Sequence, residues 1–278
     1  MAYRIIIDSC TDLTEEMRQD KHLQLVPLTL QVDDTLIIDD TTFNQKEFLR
    51  LVDASPNSPK SACPSPEAYM ELYGGEEDIY VVTLSDKLSG SYNSAELGKK
   101  LYLEEYPAKN ILVINSCSAS VGQTLITRKI KEYVEAGKKF QEVTQLIQNY
   151  RDTLSTKFVL ENLDTLRKNG RLNGIQAILT SVLNIKPIMV GNDDGSIRKL
   201  DQARGIQKAL LLMAKHIEKD VSEPEKRTLG IAHCNNYERA LFVKEEVLKK
   251  VPFKDVVIVE TAGVSTMYAG DGGIVVSY

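Results

Sequence analysis

The sequence holds few of the residues and motifs that usually mark a catalyst. Only three histidines occur, His22, His216 and His233, which restricts any mechanism that needs an imidazole base. Its four cysteines, Cys10, Cys63, Cys117 and Cys234, lie far apart and form no C-x-x-C pair. Neither a zinc site nor a disulfide framework is therefore indicated, and all four are expected to be reduced thiols. No G-x-S-x-G elbow is present, so Ser89 in Leu88-Ser89-Gly90-Ser91 lacks the setting of a hydrolase nucleophile. The absence of G-x-x-x-x-G-K-[ST], and of G-x-G-x-x-G after the first strand, leaves nucleotide binding unsupported. There is no excess of positive charge: 34 basic residues face 39 acidic ones, for a net charge of −5, so nucleic acid is not an expected partner. No apolar run approaches the ~18–20 residues that cross a bilayer. Met1-Ala2-Tyr3-Arg4 leads straight into the strand-like Ile5-Ile6-Ile7 without a signal-peptide layout, which points to a cytoplasmic protein.

What is present is an ordinary globular composition, 42% hydrophobic and 26% charged over 278 residues, enough for one large or two medium domains. Short β-rich runs, Tyr3 to Asp8, Leu25 to Val32, Asp78 to Leu84 and Asn110 to Ser116, alternate with helical patterns over Gln45 to Ala54, Pro66 to Tyr73 and Ser91 to Tyr106. That rhythm predicts a parallel sheet. Ser65-Pro66-Glu67 reads as a helix start, with Ser65 able to cap free N–H groups and Pro66 placed where a missing N–H costs nothing. From Val121 to Leu154 the pattern is helical, broken at Ala136-Gly137, and a domain boundary is expected near residue 155. Beyond it, strands are expected at Thr156 to Leu160, Lys186 to Val190, Arg227 to Ala232, Val256 to Glu260 and Gly273 to Ser277. Helices are expected at Gly174 to Leu183, Ala203 to Lys219 and Tyr237 to Lys250. Asn192-Asp193-Asp194-Gly195 is a turn signal that makes a β-hairpin and hence a mixed sheet. The predicted architecture is α/β in two domains. Residues 1–155 form a three-layer α/β/α unit with a parallel sheet, and residues 156–278 a two-layer unit with a mixed sheet.

Parallel sheets bind ligands beyond the carboxyl ends of their strands, and three such ends are rich in hydroxyls: Asp8-Ser9-Cys10-Thr11-Asp12, Ser85-Asp86-Lys87-Leu88-Ser89-Gly90-Ser91, and Ser116-Cys117-Ser118-Ala119-Ser120. Together with Ser61 they would make a neutral site for an oxyanion, although each loop alone reads equally as a turn or a cap. Arg171, in Lys168-Asn169-Gly170-Arg171, and Arg204, in Gln202-Ala203-Arg204-Gly205, suit either a solvated surface or contact with a phosphate or acidic partner. Tyr268-Ala269-Gly270-Asp271-Gly272-Gly273 reads as a glycine-dense turn serving backbone geometry or touching a ligand. His233 reads as a structural histidine before a ligand-facing one. The acidic pairs Asp33-Asp34 and Asp39-Asp40 read as hairpin and loop residues before metal ligands.

The same motifs, taken in order, resemble the DegV family, bacterial acyl-chain-binding proteins that include the fatty-acid-binding subunits of fatty acid kinase. The resemblance spans essentially the whole chain. It rests on Asp8 to Leu13, Ser61-Ala62-Cys63-Pro64-Ser65-Pro66, Leu84 to Ala95, Leu160-Glu161-Asn162-Leu163 with Asn169-Gly170-Arg171-Leu172, Lys186-Pro187-Ile188, and Ala203-Arg204-Gly205.

The resemblance implies one long-chain fatty acid held between two domains, its carboxyl hydrogen-bonded by Ser61 and Ser89, with Tyr268 beside them where many members carry a histidine. It implies no cofactor and no metal. It also implies that a separate ATP-binding kinase subunit phosphorylates the bound acid, with Arg171 and Arg204 at that encounter. The phenol of Tyr268 weakens the implication of a kinase partner more than that of lipid binding. Ser61-Ala62-Cys63 stands where the family often has Thr-Ser-Gln, which keeps the hydroxyl, and the helix before the third strand is about a turn shorter than usual. A carboxylate held only by hydroxyl and N–H groups is expected to bind partly neutral. Ile178, Leu179, Val182, Leu183, Ile185, Ile188 and Met189 are apolar residues able to line a tunnel or to pack as ordinary core. The expected protein is a non-catalytic carrier. Two alternatives stand beside it: a small-molecule enzyme working by phosphotransfer or hydrolysis in the same crevice, and a regulatory module whose lipid reports membrane state; transient membrane contact is a further expectation.

Overall fold

The computed structural model describes residues 2–172 and 184–278. The helix expected over Gly174 to Leu183, and with it Ile178, Leu179, Val182 and Leu183, lies outside the described residues.

The parallel rhythm of the first half folds as expected. β1 (Tyr3–Asp8), β2 (Leu23–Val26), β6 (Asp78–Thr83) and β7 (Ile111–Asn115) form a parallel four-stranded sheet in the order β2-β1-β6-β7. Period-two alternation assigns its faces. Ile5, Ile7, Tyr80, Val82 and Ile114 pack against α5 (Val121–Glu135) and α6 (Phe140–Asp152). Ile6, Ile79, Val81, Ile111 and Val113 pack on the other side against α3 (Pro66–Met70) and α4 (Ser91–Glu105). Each of these buried side chains contributes roughly 1.5–3 kcal/mol, and the result is three layers.

One expected strand is divided. Leu25 to Val32 splits at Pro27, which has no N–H for a ladder; Leu28 gives its own N–H to Ser9 Oγ at 3.0 Å. The chain then leaves the parallel sheet. β3 (Thr29–Val32), β4 (Thr35–Ile38) and β5 (Lys60–Ala62) make a separate antiparallel sheet ordered β4-β3-β5. Asp33, at φ 50°, turns the hairpin between β3 and β4. The short α1 (Glu15–Arg18) follows β1, and α2 (Gln45–Ala54) follows β4 with Asn44 as its cap.

The second half gives a six-stranded sheet ordered β10-β9-β8-β13-β11-β12, from β8 (Thr156–Val159), β9 (Ile185–Gly191), β10 (Ile197–Arg204), β11 (Thr228–His233), β12 (Asp255–Glu260) and β13 (Ile274–Ser277). Only β11 and β12 run parallel, so the sheet is mixed. α8 (Ile206–Asp220) and α9 (Tyr237–Leu248) cover one face. The start of α8 is later than expected because Gly205, at φ 84°, ends β10 with Ala203 and Arg204 still in the strand. The opposite face meets the start of α5, where Val121 packs with Ala232, Val257 and Val259. A side chain at Gly230 would lie 2.6 Å from Val121 Cγ2, so glycine is what lets α5 touch both sheets. The last elements are α7 (Asp164–Lys168) and α10 (Gly263–Ala269). Among the described residues no helix is long and apolar enough to cross a membrane.

Candidate functional site: an apolar cavity between the two sheets

The three hydroxyl-rich loops do converge. Asp8 Oδ2 accepts the Leu84 N–H at 2.6 Å, its Oδ1 accepts from Gln123 Nε2 at 2.8 Å, and Ser85 N–H reaches Ser118 O at 3.0 Å. Yet the hydroxyls are engaged with the protein itself. Ser85 Oγ donates to Gly195 O in the β9–β10 turn at 2.8 Å, Ser116 Oγ donates to Ser118 O at 3.0 Å, and Ser120 Oγ donates to Asp12 Oδ2. Ser118 Oγ pairs with Thr156 Oγ1 at 2.7 Å, and Thr156 in turn with Ser277 Oγ at 2.6 Å. These loops form a buried polar seam between the two halves. Cys117 and Ser120 hold positive φ of 49° and 56° there, a backbone cost that the surrounding bonds must offset.

Beside that seam lies a cavity of about 100 Å³, which opens into a wider recess of roughly 780 Å³ that is continuous with solvent. Its wall is overwhelmingly apolar. Leu84 and Leu88 come from the parallel-sheet side, Phe158, Leu160, Leu166, Ile197 and Val275 from the mixed-sheet side, and Val264 from α10. Ile188 and Met189, able by sequence to line a tunnel or to pack as core, do the second and are wholly buried. Ile188 packs against α8 and α9, and Met189 packs behind Phe158 and Leu160. Alternation along β9 decides this, since successive side chains point to opposite faces. Ile185, at the start of β9, is half-buried and does not line the cavity.

Tyr268 and Arg171 line the cavity at the corner nearest Ser61 and Leu88, and the seam residues Ser118, Ser120 and Thr156, with Ser265, line it elsewhere. Tyr268 is not in a turn, as the glycine pattern implied, but near the end of α10, and the turn itself starts at Gly270, with φ 64°. Its Oη lies 3.3 Å from Ser61 Oγ on β5. Ser89 Oγ lies 3.0 Å from Ser91 Oγ and accepts the Ser91 N–H at 3.2 Å. Ser61 and Ser89 both stand one contact back from the cavity wall, Ser61 behind Tyr268 and Ser89 next to the lining residue Leu88. The strand bearing Ser61 abuts the loop bearing Ser89, because a side chain at Gly90 would lie 2.8 Å from Cys63 Sγ. Arg171 Nε donates to Leu88 O at 3.0 Å, and Nη1 donates to Asn169 O. Arg204 is elsewhere, exposed at the end of β10 opposite Ile185 and away from the cavity lining.

Burial raises the carboxyls in and near the seam, Asp8 and Asp39 to about 6 and Asp12 to about 7, against backbone and hydroxyl donors that pull the other way. The Cys10 thiol, which also lines the cavity, is pushed well up by burial and then by Asp8 and Asp12. His233 is lowered by desolvation and accepts the Asn236 N–H at 3.3 Å, a structural arrangement outside the cavity. Among the described residues no group of three or more His, Cys, Asp or Glu is placed to hold a metal ion. Asp33 accepts from Asn57 and Asp40 from Thr42, as loop residues do. Asp39 departs from the loop reading: it is 1% exposed and accepts the N–H groups of Gly263 and Val264.

Ser265 and Val264, cavity residues from α10, carried no readable signal in the sequence. The helix starts after Ala262, which has no capping side chain, because the cap comes from a distant part of the chain.

Proteins with this architecture are known. A solved DegV-family protein from Ruminococcus gnavus, described with vaccenic acid, superposes with a TM-score of 0.98 at 49% identity, covering 100% of both chains. The Streptococcus pneumoniae Fatty Acid Kinase (Fak) B3 protein, described as loaded with linoleic acid, gives 0.91 at 32% identity over 100% of this chain and 99% of that one. A DegV domain-containing protein of Streptococcus gordonii is 35% identical over 280 residues, 100% of this chain and 99% of the relative. A family model described as an uncharacterised protein of the DegV family matches residues 2–278, so the chain belongs to the DegV family.

Proposed function

We propose that the protein binds one long-chain fatty acid in the cavity between its two α/β domains, residues 1–155 and 156–278, as a non-catalytic carrier without a cofactor. The observation that carries this reading is the lining: apolar side chains from both sheets make most of the wall, and Tyr268 and Arg171 are among its polar groups. Burying each CH₂ of an acyl chain contributes about 0.8 kcal/mol before ordering costs, so the wall supplies retention and the corner supplies orientation. Ser61, Ser89 and Tyr268 are the proposed carboxyl partners, as hydroxyls that can donate to either oxygen. The solved relatives that are described with vaccenic and linoleic acids support the ligand class.

The test is native mass spectrometry of the purified protein, followed by extraction of whatever is bound. A stoichiometric fatty acid is expected in the wild type, with greatly weakened loading when Ser61→Ala and Ser89→Ala are combined. Unaltered loading in that double variant refutes the carboxyl assignment, and a protein that stays empty after incubation with fatty acids refutes the ligand class.

Presentation of the bound acid to an ATP-binding kinase subunit, which forms the acyl phosphate, is the finer part of the proposal. Arg171, at the polar corner, and Arg204, exposed on the same half of the chain, are its contact residues. Charge reversal at either residue is expected to abolish acyl-phosphate formation by such a subunit while the acid stays bound. Undiminished product from Arg204→Glu would remove Arg204 from the encounter.

A further inference from the structure

The Asp39-Asp40 pair stands out in the sequence, yet the cavity makes no direct use of it. Asp40 folds onto Thr42 at the surface, whereas Asp39 reaches across the molecule. Its Oδ1 accepts the Gly263 N–H at 2.7 Å and its Oδ2 the Val264 N–H at 2.8 Å. These are the first N–H groups of α10, and a carboxylate there also meets the positive end of the helix. The Ala262 N–H just before them goes to Asp12 Oδ1 at 2.7 Å. Asp39 is equally fixed on its own side, where its N–H donates to Leu28 O at 2.9 Å, next to β3. β3 pairs with β5, opposing Leu30 to Ser61. One residue therefore ties the small sheet that carries Ser61 to the helix that carries Tyr268.

We propose that Asp39 is a positioning residue for carboxyl recognition, setting the Ser61–Tyr268 hydroxyl pair by clamping the start of α10 to the small sheet. This rests on reading the cavity as a fatty-acid site. The close approach needs a glycine at residue 263, because a side chain there would press on Asp39 Oδ1 and lie 2.8 Å from Leu30 Cδ1. The clamp also needs two acceptor oxygens. An amide offers one, and turns a donor toward the remaining N–H. The other groups facing the carboxylate are the Ser9 hydroxyl and, across the seam, the Asp8 and Asp12 carboxylates, none of which supplies a positive charge that could replace the helix end.

The experiment compares binding of oleic acid and oleyl alcohol, which share a chain and differ at the head, to the full-length wild type, Tyr268→Phe, Asp39→Asn and the double variant. Asp39→Asn is expected to weaken oleic acid roughly tenfold and oleyl alcohol less than about twofold. Placed on Tyr268→Phe, it is expected to cost less than about twofold, since the group it positions is gone. Equal losses for the two ligands, or a full tenfold loss added to that of Tyr268→Phe, overturn the proposal and leave Asp39 a support of the fold alone. If Asp39→Asn does not fold, Gly263→Ala, which displaces the same contact without changing charge, must reproduce the selective loss of oleic acid; unchanged discrimination overturns the proposal. A wild type that binds neither ligand overturns the fatty-acid reading itself, whereas a wild type that binds and a Tyr268→Phe variant that weakens, with Asp39→Asn indifferent, overturn only the clamp.

Discussion

Ser118 and Ser61 are both serines beside the same cavity, and their surroundings differ in one respect. Ser118 is 6% exposed and sits in an unbroken chain of hydroxyls with Thr156 and Ser277, inside a seam that ends on the buried carboxylates Asp8 and Asp12. Among the described residues Ser61 has one side-chain hydrogen-bond partner, Tyr268, at 3.3 Å, and it is only half-buried. A hydroxyl whose donor and acceptor capacity is filled by the protein stabilises the fold; one with capacity left over can serve a ligand. The seam and the corner thus hold the same chemical group in two different states of engagement.

Breaking the seam should produce the largest effect. Asp8→Ala strands the N–H groups of Leu84 and Cys10 and the amide of Gln123, and is expected to destabilise the protein by on the order of 4 kcal/mol in urea unfolding. A loss below about 1 kcal/mol would mean that the seam is not structural. A second measurement addresses the charge buried there. Asp8, Asp12 and Asp39 have folded-state values of about 6 to 7, above their ordinary 3.8. The native protein therefore keeps protons that the unfolded chain has already released. The stability these groups supply is fully present below about pH 4 and is lost as pH rises through about 6 to 7. Comparing the wild type with Asp12→Asn isolates the effect: the variant should gain on the wild type as pH rises from 4 to 7, and a constant difference across that range would contradict the assignment.

The sharpest comparison needs only small effects. Ser118→Ala should cost about 1–2 kcal/mol of stability and leave fatty-acid loading within about twofold, whereas Ser61→Ala should cost less than about 0.5 kcal/mol and reduce loading. The same pattern for both variants would erase the distinction between seam and corner.

Much of the fold is legible in the sequence where local signals suffice. The cap and proline of Ser65-Pro66, the alternation of Ile5, Ile6 and Ile7 between two cores, and the Asn192 to Gly195 turn each act over a few residues, and each recurs in the structure. The departures come from distant partners. Leu25 to Val32 reads as one strand, whereas the structure breaks it at Pro27 and gives β3 to a different sheet. Residues 268–273 show glycine, but not the helix before it, whose cap lies at Asp39, more than 200 positions away. The candidate site is legible to the same degree. Ser61, Ser89 and Arg171 stand out as motifs and fall near one corner, while the cavity wall does not, because an apolar side chain in a strand reads identically whether it faces a core or an empty space. Ile188, which packs in the core, and Leu160, which lines the cavity, illustrate this.

By itself the sequence determined the class of the fold, the family, and the strands of the parallel and mixed sheets other than where β2 ends and β3 begins, because these follow from periodicity, capping and motif order within short windows. Only the tertiary structure decided which hydroxyls are closed into the seam and which remain open, which apolar residues face the cavity, and that Asp39 caps a helix from the other half of the chain. Those properties depend on which groups compete for the same neighbours in space, and that competition is settled only when the two sheets pack.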